Sequence, residues 1–302
     1  MPPSRLPDAA AMEAACPPRA PLSHLASLWI QVTGTRCNLT CTHCFNSSGP
    51  REPWLRDLDA GTVLWAIREA EELGVKEIYF TGGEPFLHRG MLAFLEAALA
   101  VAPATVLTNG TLIREGTADR LAALAAGSRY SLEIRVSVDD VDEASNDRIR
   151  GRGAFAEAMR AVRLLTARGL LPIVTASEIS MAGSPADPDH GMYARLRCML
   201  LEHGVAKPRI KIIPVFRMGR LQPIGEPPVL TPGMLEGFDR SSLMCSETRV
   251  VAQGGVYACP ILAGLPGAKL SDGSLREALT PCRLFHSACV TCYETGIACK
   301  NF

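Results

Sequence analysis

Between residues 28 and 215 the chain alternates between short apolar runs and stretches of helical period, and few folds accommodate that order. The apolar runs fall at 28–32, 76–80, 104–107, 132–138, 171–176 and 209–215. Between them, residues 60–73, 90–101, 115–126, 155–168 and 191–202 read as helices, with Val63, Ile67 and Ala70 showing the spacing in the first. Asp59 stands at a helix start, and Gly74, Gly169 and Gly204 stand at helix ends. Strands that alternate with helices predict parallel βα units joined by right-handed crossovers. Six units fall short of the eight of a complete barrel. The expected fold class is therefore α/β, a partial (β/α)6 TIM-like barrel with a side cleft. Loops at the C-terminal strand ends should form its active face.

Those loops carry the unusual residues. The first strand runs into Cys37-x3-Cys41-x2-Cys44. Three thiolates on one loop can hold a soft metal centre. Cubane iron–sulfur clusters usually take four, so three leave one iron without a protein ligand; a zinc site with a distant fourth ligand is the competing reading. The second strand ends in Gly82-Gly83-Glu84-Pro85, whose glycines permit close backbone approach. The third ends in Thr108-Asn109-Gly110, and the fourth in Asp139-Asp140 just past Ser137.

The alternation breaks near residue 222, where Pro223, Gly225, Pro227, Pro228 and Pro232 mark a linker. Beyond it lie Cys245, Cys259, Cys282, Cys289, Cys292 and Cys299. Residues 249–258 fit two strands around a Gly-Gly turn, a hairpin with a cysteine at each end. Residues 274–279 read as one helical stretch. The expected organisation is an N-terminal arm over 1–26, a barrel over 27–222 and a small cysteine-rich domain over 223–302.

Composition narrows the class. Lys+Arg and Asp+Glu both number 31, so no charge excess points to nucleic acid or an anionic membrane. No apolar run approaches the ~20 residues that span a bilayer. The N-terminus lacks the basic-then-apolar order of a signal peptide, so the expected location is cytoplasmic. There, 11 cysteines argue for metal binding over disulfides.

The cysteine triplet after the first strand, Gly82-Gly83-Glu84-Pro85 after the second, and the cysteine-rich tail together resemble the radical S-adenosylmethionine (radical SAM) superfamily. The resemblance implies a [4Fe–4S] cluster on Cys37, Cys41 and Cys44, with SAM chelating the free iron. When reduced, that cluster cleaves SAM to methionine and a 5′-deoxyadenosyl radical. It further implies that His43 lies against the adenine, that Gly82 and Gly83 admit SAM, and that Glu84 sits near its ammonium. Asn109, Ser137 and Asp139 would line the ribose and methionine region, and Arg150 would meet the SAM carboxylate, with Arg148 and Arg152 as neighbours. The tail resembles a SPASM or shortened twitch module. That implies at least one auxiliary [4Fe–4S] cluster, on Cys245, Cys259, Cys289 and Cys292, with Cys282 and Cys299 as further possible ligands; structural zinc suits the same thiols. Cys16 has no partner at ligand spacing.

The class implied is an enzyme that abstracts hydrogen from a C–H bond, an oxidoreductase or epimerase. A spare thiol, Cys198, Cys282 or Cys299, could return hydrogen in an epimerisation. The preferred substrate is a sugar-like small molecule, an aminoglycoside or related natural product, because residues 1–26 leave no room for a peptide-recognition domain. The alternative is maturation of a ribosomal peptide or protein by thioether formation, carbon cross-linking or epimerisation. A non-enzymatic zinc protein is the third reading. A flavodoxin or ferredoxin is the family's electron donor.

Overall fold

A computed structural model describes residues 17–51, 53–181, 191–221 and 227–296. Six strands alternate with helices as the sequence predicts: β2 (Ser27–Gln31), β3 (Glu77–Thr81), β4 (Ala104–Thr108), β5 (Leu132–Ser137), β6 (Ile173–Ser177) and β7 (Arg209–Ile213). They pair in parallel in that order. The helices of the layer are α1 (Ala60–Glu72), α2 (Met91–Val101), α3 (Glu115–Gly127), α4 (Glu143–Arg150), α5 (Ala154–Ala167) and α6 (Met192–Glu202). Asp59 caps α1 by accepting from the Thr62 N–H at 2.9 Å. In α5, Phe155, Ala158, Met159, Val162 and Leu165 recur at helical spacing and are all buried.

Parallel strands are covered on both faces, and β2 is buried throughout. Leu28 and Ile30 join the core under the helices. Trp29, between them, points to the opposite face and stacks on Tyr79 with ring centroids 4.4 Å apart. Arg135 lies over the same Tyr79 ring, at 5.3 Å. This second face, with the tail packed against it, carries the candidate site.

The tail also continues the sheet. β8 (Thr248–Ala252) pairs in parallel with β2, and β9 (Gly255–Tyr257) and β10 (Lys269–Ser271) follow as antiparallel neighbours. The predicted hairpin is present, and it adds a seventh parallel strand to the six. β10 and β7 are the sheet's two edges. Residues 275–278 form turns, not the expected helix. Besides the short strands β10, β1 (Arg19–Ala20) and β11 (Cys282–Arg283), two α-helices escaped the sequence reading. One is α4, whose only buried side chain is Asn146, so no apolar period marks it. The other is α7 (Ser287–Thr295), which carries Cys289 and Cys292. Within the N-terminal segment, β1 pairs with β11, setting Ala20 opposite Cys282.

Candidate active site

The first cysteine loop folds back over the end of β2. The Arg36 N–H donates to the Thr33 carbonyl at 2.8 Å, and the Cys37 N–H to the Gly49 carbonyl at 3.1 Å. Cys37, Cys41 and Cys44 all line one cavity at the C-terminal strand ends, with His43, Gly82, Gly83, Asn109, Ser137, Asp139 and Arg150. Of the residues expected in this site, Glu84 alone is absent from the lining.

The two glycines bring two loops together. Gly82 has φ +148°, and a Cβ there would lie 2.2 Å from Thr33 Oγ1. A Cβ on Gly83 would lie 2.2 Å from the Arg36 carbonyl oxygen and 2.8 Å from Cys37 Cβ. The close approach is therefore between the Gly-Gly turn and the cysteine loop itself.

Glu84 is fully buried. One carboxylate oxygen accepts from Thr108 Oγ1 at 2.7 Å and the Phe86 N–H at 3.1 Å; the other accepts from the Asn109 N–H at 2.8 Å. Burial pushes its carboxyl up to about 7, with those donors opposing. Both oxygens tie the β3 turn to the end of β4. Asn109 passes this anchor on. Its side-chain amide donates to Asn38 Oδ1 at 2.9 Å and approaches Cys37 Sγ at 3.8 Å.

Asp139 is the second anchor. Its Oδ1 accepts from the Ser177 N–H at 2.8 Å and from Ser177 Oγ at 2.7 Å. Its Oδ2 lies 2.7 Å from Arg150 Nε and 3.0 Å from His43 Nε2. Burial acts to raise the Asp139 carboxyl, but Arg150, His43 and Ser177 together hold it well below the usual carboxylate range. Burial likewise acts to lower the Arg150 guanidinium, and Asp139 and Cys41 more than offset it. Arg150 was expected to meet a ligand carboxylate; in the structure its charge is paired with Asp139. Arg148 and Arg152 are exposed, which separates Arg150 from its two neighbours. The Thr42 N–H donates to the Ile149 carbonyl at 2.8 Å, so α4 and the cysteine loop hold one another.

Burial pushes the Cys37 thiol up to about 12, with Glu84 and the other two loop cysteines adding to the Leu39-opposed effect. Cys41 is also raised by burial, against Arg150. Metal ligation needs the thiolate, so a bound cluster would replace these protons. Sequence reading missed Arg220, whose Nη1 donates to the Cys41 carbonyl at 2.9 Å and whose N–H donates to that of Cys44 at 3.1 Å. It missed Ser177 for the same reason: both act across long sequence separations, and no local pattern announces them.

In the tail, Cys245, Cys259, Cys289 and Cys292 line a second cavity whose other walls are apolar, including Leu243, Ile261 and Leu284. Cys289 and Cys292 sit at i and i+3 on α7, hence on one helix face. Burial pushes Cys259 upward and Cys289 to about 11. Cys282 is not in that lining; it is buried on β11 and hydrogen-bonded to Cys245. That bond and Arg249 favour the thiolate on Cys282 against burial, while the same bond and burial raise Cys245. Among the expected hydrogen donors, Cys198 is exposed on α6 and Cys282 lies in the tail; neither lines the first cavity. Helix α6 turns Cys198 outward, and β11 holds Cys282 against Cys245. Cys16 and Cys299 lie outside the described residues. Among the described residues, no three His, Cys, Asp or Glu side chains converge tightly enough for a single metal ion. Soft thiols grouped around each cavity, three and four in number, fit iron–sulfur ligation by their donor chemistry.

Residues 32–191, just over half of the 302, match the family described as the Radical SAM superfamily. The chain is 28% identical to the mycofactocin maturase MftC of Mycolicibacterium smegmatis, over 85% of this chain and 72% of that protein. It is 34% identical to the PqqA peptide cyclase of Gluconobacter oxydans, over 51% of this chain and 40% of that one. In fold it resembles Streptococcus suis SuiB bound to its precursor peptide SuiA, with TM-score 0.63 and 17% identity. That likeness covers 85% of this chain and 65% of SuiB. These relatives overturn the preference for a sugar-like small molecule over a peptide, since one is a peptide cyclase and another holds a precursor peptide. That preference rested on the shortness of residues 1–26, which says nothing about how a barrel cleft recognises its substrate. No helix among the described residues is long and apolar enough to cross a membrane.

Proposed function

The chain belongs to the radical SAM superfamily, and from that premise we propose that it is a peptide maturase. Family membership brings a [4Fe–4S] cluster that binds SAM and, once reduced, yields a 5′-deoxyadenosyl radical; the radical would take hydrogen from a carbon of the peptide. Cys37, Cys41 and Cys44 would hold that cluster. His43, fixed by Asp139, forms with Ser137 and Asn109 the polar wall against which SAM would lie. Asp139 and Glu84 position this wall: Asp139 holds His43, and Glu84 accepts from the Asn109 N–H. Cys245, Cys259, Cys289 and Cys292 would hold an auxiliary [4Fe–4S] cluster, able to accept an electron from the substrate or to shape the pocket. The cofactors do the bond-breaking, and the chain supplies binding and orientation.

The observation that carries the peptide reading is likeness to a maturase over 85% of this chain, well beyond the family core. The test is to incubate the anaerobically reconstituted protein with SAM, a reductant and a panel of synthetic precursor peptides. Peptide-dependent release of 5′-deoxyadenosine is expected. A cross-linked product shows loss of two hydrogens, and an epimerised one shows unchanged mass in ordinary water and one deuterium gained in heavy water. Deoxyadenosine formed equally with and without peptide, with every peptide returned unchanged, would refute this reading and leave the radical chemistry standing.

A further inference from the structure

Arg249 is the largest fully buried side chain among the described residues. Every hydrogen bond its guanidinium makes ends on a main-chain carbonyl. Nε donates to Ala278 at 2.8 Å, Nη1 to Cys245 at 2.7 Å and Thr248 at 2.6 Å, and Nη2 to Thr280 at 2.6 Å. Among the described residues no carboxylate pairs with it. Carbonyl dipoles solvate a buried cation but do not neutralise it, and an unneutralised charge in a dry interior costs several kcal/mol. The groups that act electrostatically on Arg249 are Cys282, Cys245 and Cys259.

We infer that Arg249 is the charge partner of whatever thiolate-bound group the tail holds, and that it positions the cysteine-bearing segments around that group. Its four carbonyl contacts span three stretches of chain: Cys245 itself, the start of β8, and residues 278–280 leading to Cys282. A [4Fe–4S] core with four thiolates is anionic and gains a further negative charge on reduction. A fixed cation beside it stabilises the reduced form more than the oxidised form, which raises the reduction potential. Arg249 takes part in no bond making; it acts through charge and placement. The proposal rests on the tail holding such a cluster.

The experiment uses the full chain with Cys37, Cys41 and Cys44 replaced by Ala, so that only tail iron remains after anaerobic reconstitution. Iron and sulfide per chain are measured, and the midpoint potential is followed by electron paramagnetic resonance. Arg249→Lys should keep a potential near that of the parent, whereas Arg249→Met should move it to a more negative value. If Arg249→Met takes up no iron, Arg249→Lys decides: iron content and potential near the parent support charge pairing. An unchanged potential in Arg249→Met, or equal loss in both variants, overturns it. A parent protein that takes up no tail iron overturns the cluster reading itself.

Discussion

Glu84→Gln tests whether the turn beside the cysteine triplet rests on a carboxyl that titrates near neutrality. Burial raises Glu84 from its ordinary 4.5 to about 7, against three hydrogen bonds that favour the ionised form. The folded state therefore holds its proton more tightly than the unfolded state. The stability this contributes is fully present below about 4.5, declines as pH rises, and is lost once pH has passed about 7. The gap between those two values corresponds to about 3 kcal/mol. Glutamine cannot titrate, so the variant lacks this slope. It also has one acceptor oxygen for three donors, so either its amide faces the Asn109 N–H or it leaves Thr108 and Phe86 without their acceptor. One such mismatch costs about 1–3 kcal/mol. The assay is urea unfolding of metal-free wild type and Glu84→Gln at several values from pH 5 to pH 8. Wild type should lose up to about 3 kcal/mol more than the variant across that range. Other titrating groups cancel in the difference. Parallel curves would refute the raised carboxyl, and a wild type that gains on the variant with rising pH would show that the hydrogen bonds outweigh burial.

Asp139→Asn removes the buried charge that pairs the largely enclosed Arg150, and is expected to lower stability by about 3–5 kcal/mol; denaturation of the metal-free protein measures it, and a change below about 1 kcal/mol would contradict the pairing. Gly83→Ala places a methyl 2.2 Å from the Arg36 carbonyl oxygen, so the cysteine loop must shift. Iron bound per chain, in a protein whose tail cysteines are replaced by Ala, should fall well below that of the same protein with Gly83 intact; equal loading would show that the loop yields without losing its ligand geometry.

The glycines of the second strand-end loop show how local pattern and tertiary contact divide the information. Gly82-Gly83 announced a close approach, and position at a strand end placed it on the active face. What approached was not legible: the neighbours are Thr33, Arg36 and Cys37, some fifty residues earlier. The same holds for α4. Its polar sequence lacks an apolar period because what docks it is the Asn146 side chain accepting from the Asp139 N–H at 3.0 Å. Only the structure separated Arg150 from Arg148 and Arg152, since burial against Asp139 distinguishes them and spacing does not.

By itself the sequence determined the alternating βα order, the three thiols on one loop and the hairpin flanked by Cys245 and Cys259, because each is written within a few turns of chain. Periodicity and ligand spacing are local quantities. The tertiary structure alone decided that β8 joins β2 and lengthens the parallel sheet, that Glu84 ties the β3 turn to β4 while Asp139 pairs Arg150, and that Arg249 lies buried with its Nη1 on the Cys245 carbonyl. Those outcomes depend on which buried charges and donors meet across dozens to hundreds of residues. Desolvation forces every such group to find a partner, but it leaves no mark in sequence showing which partner that is.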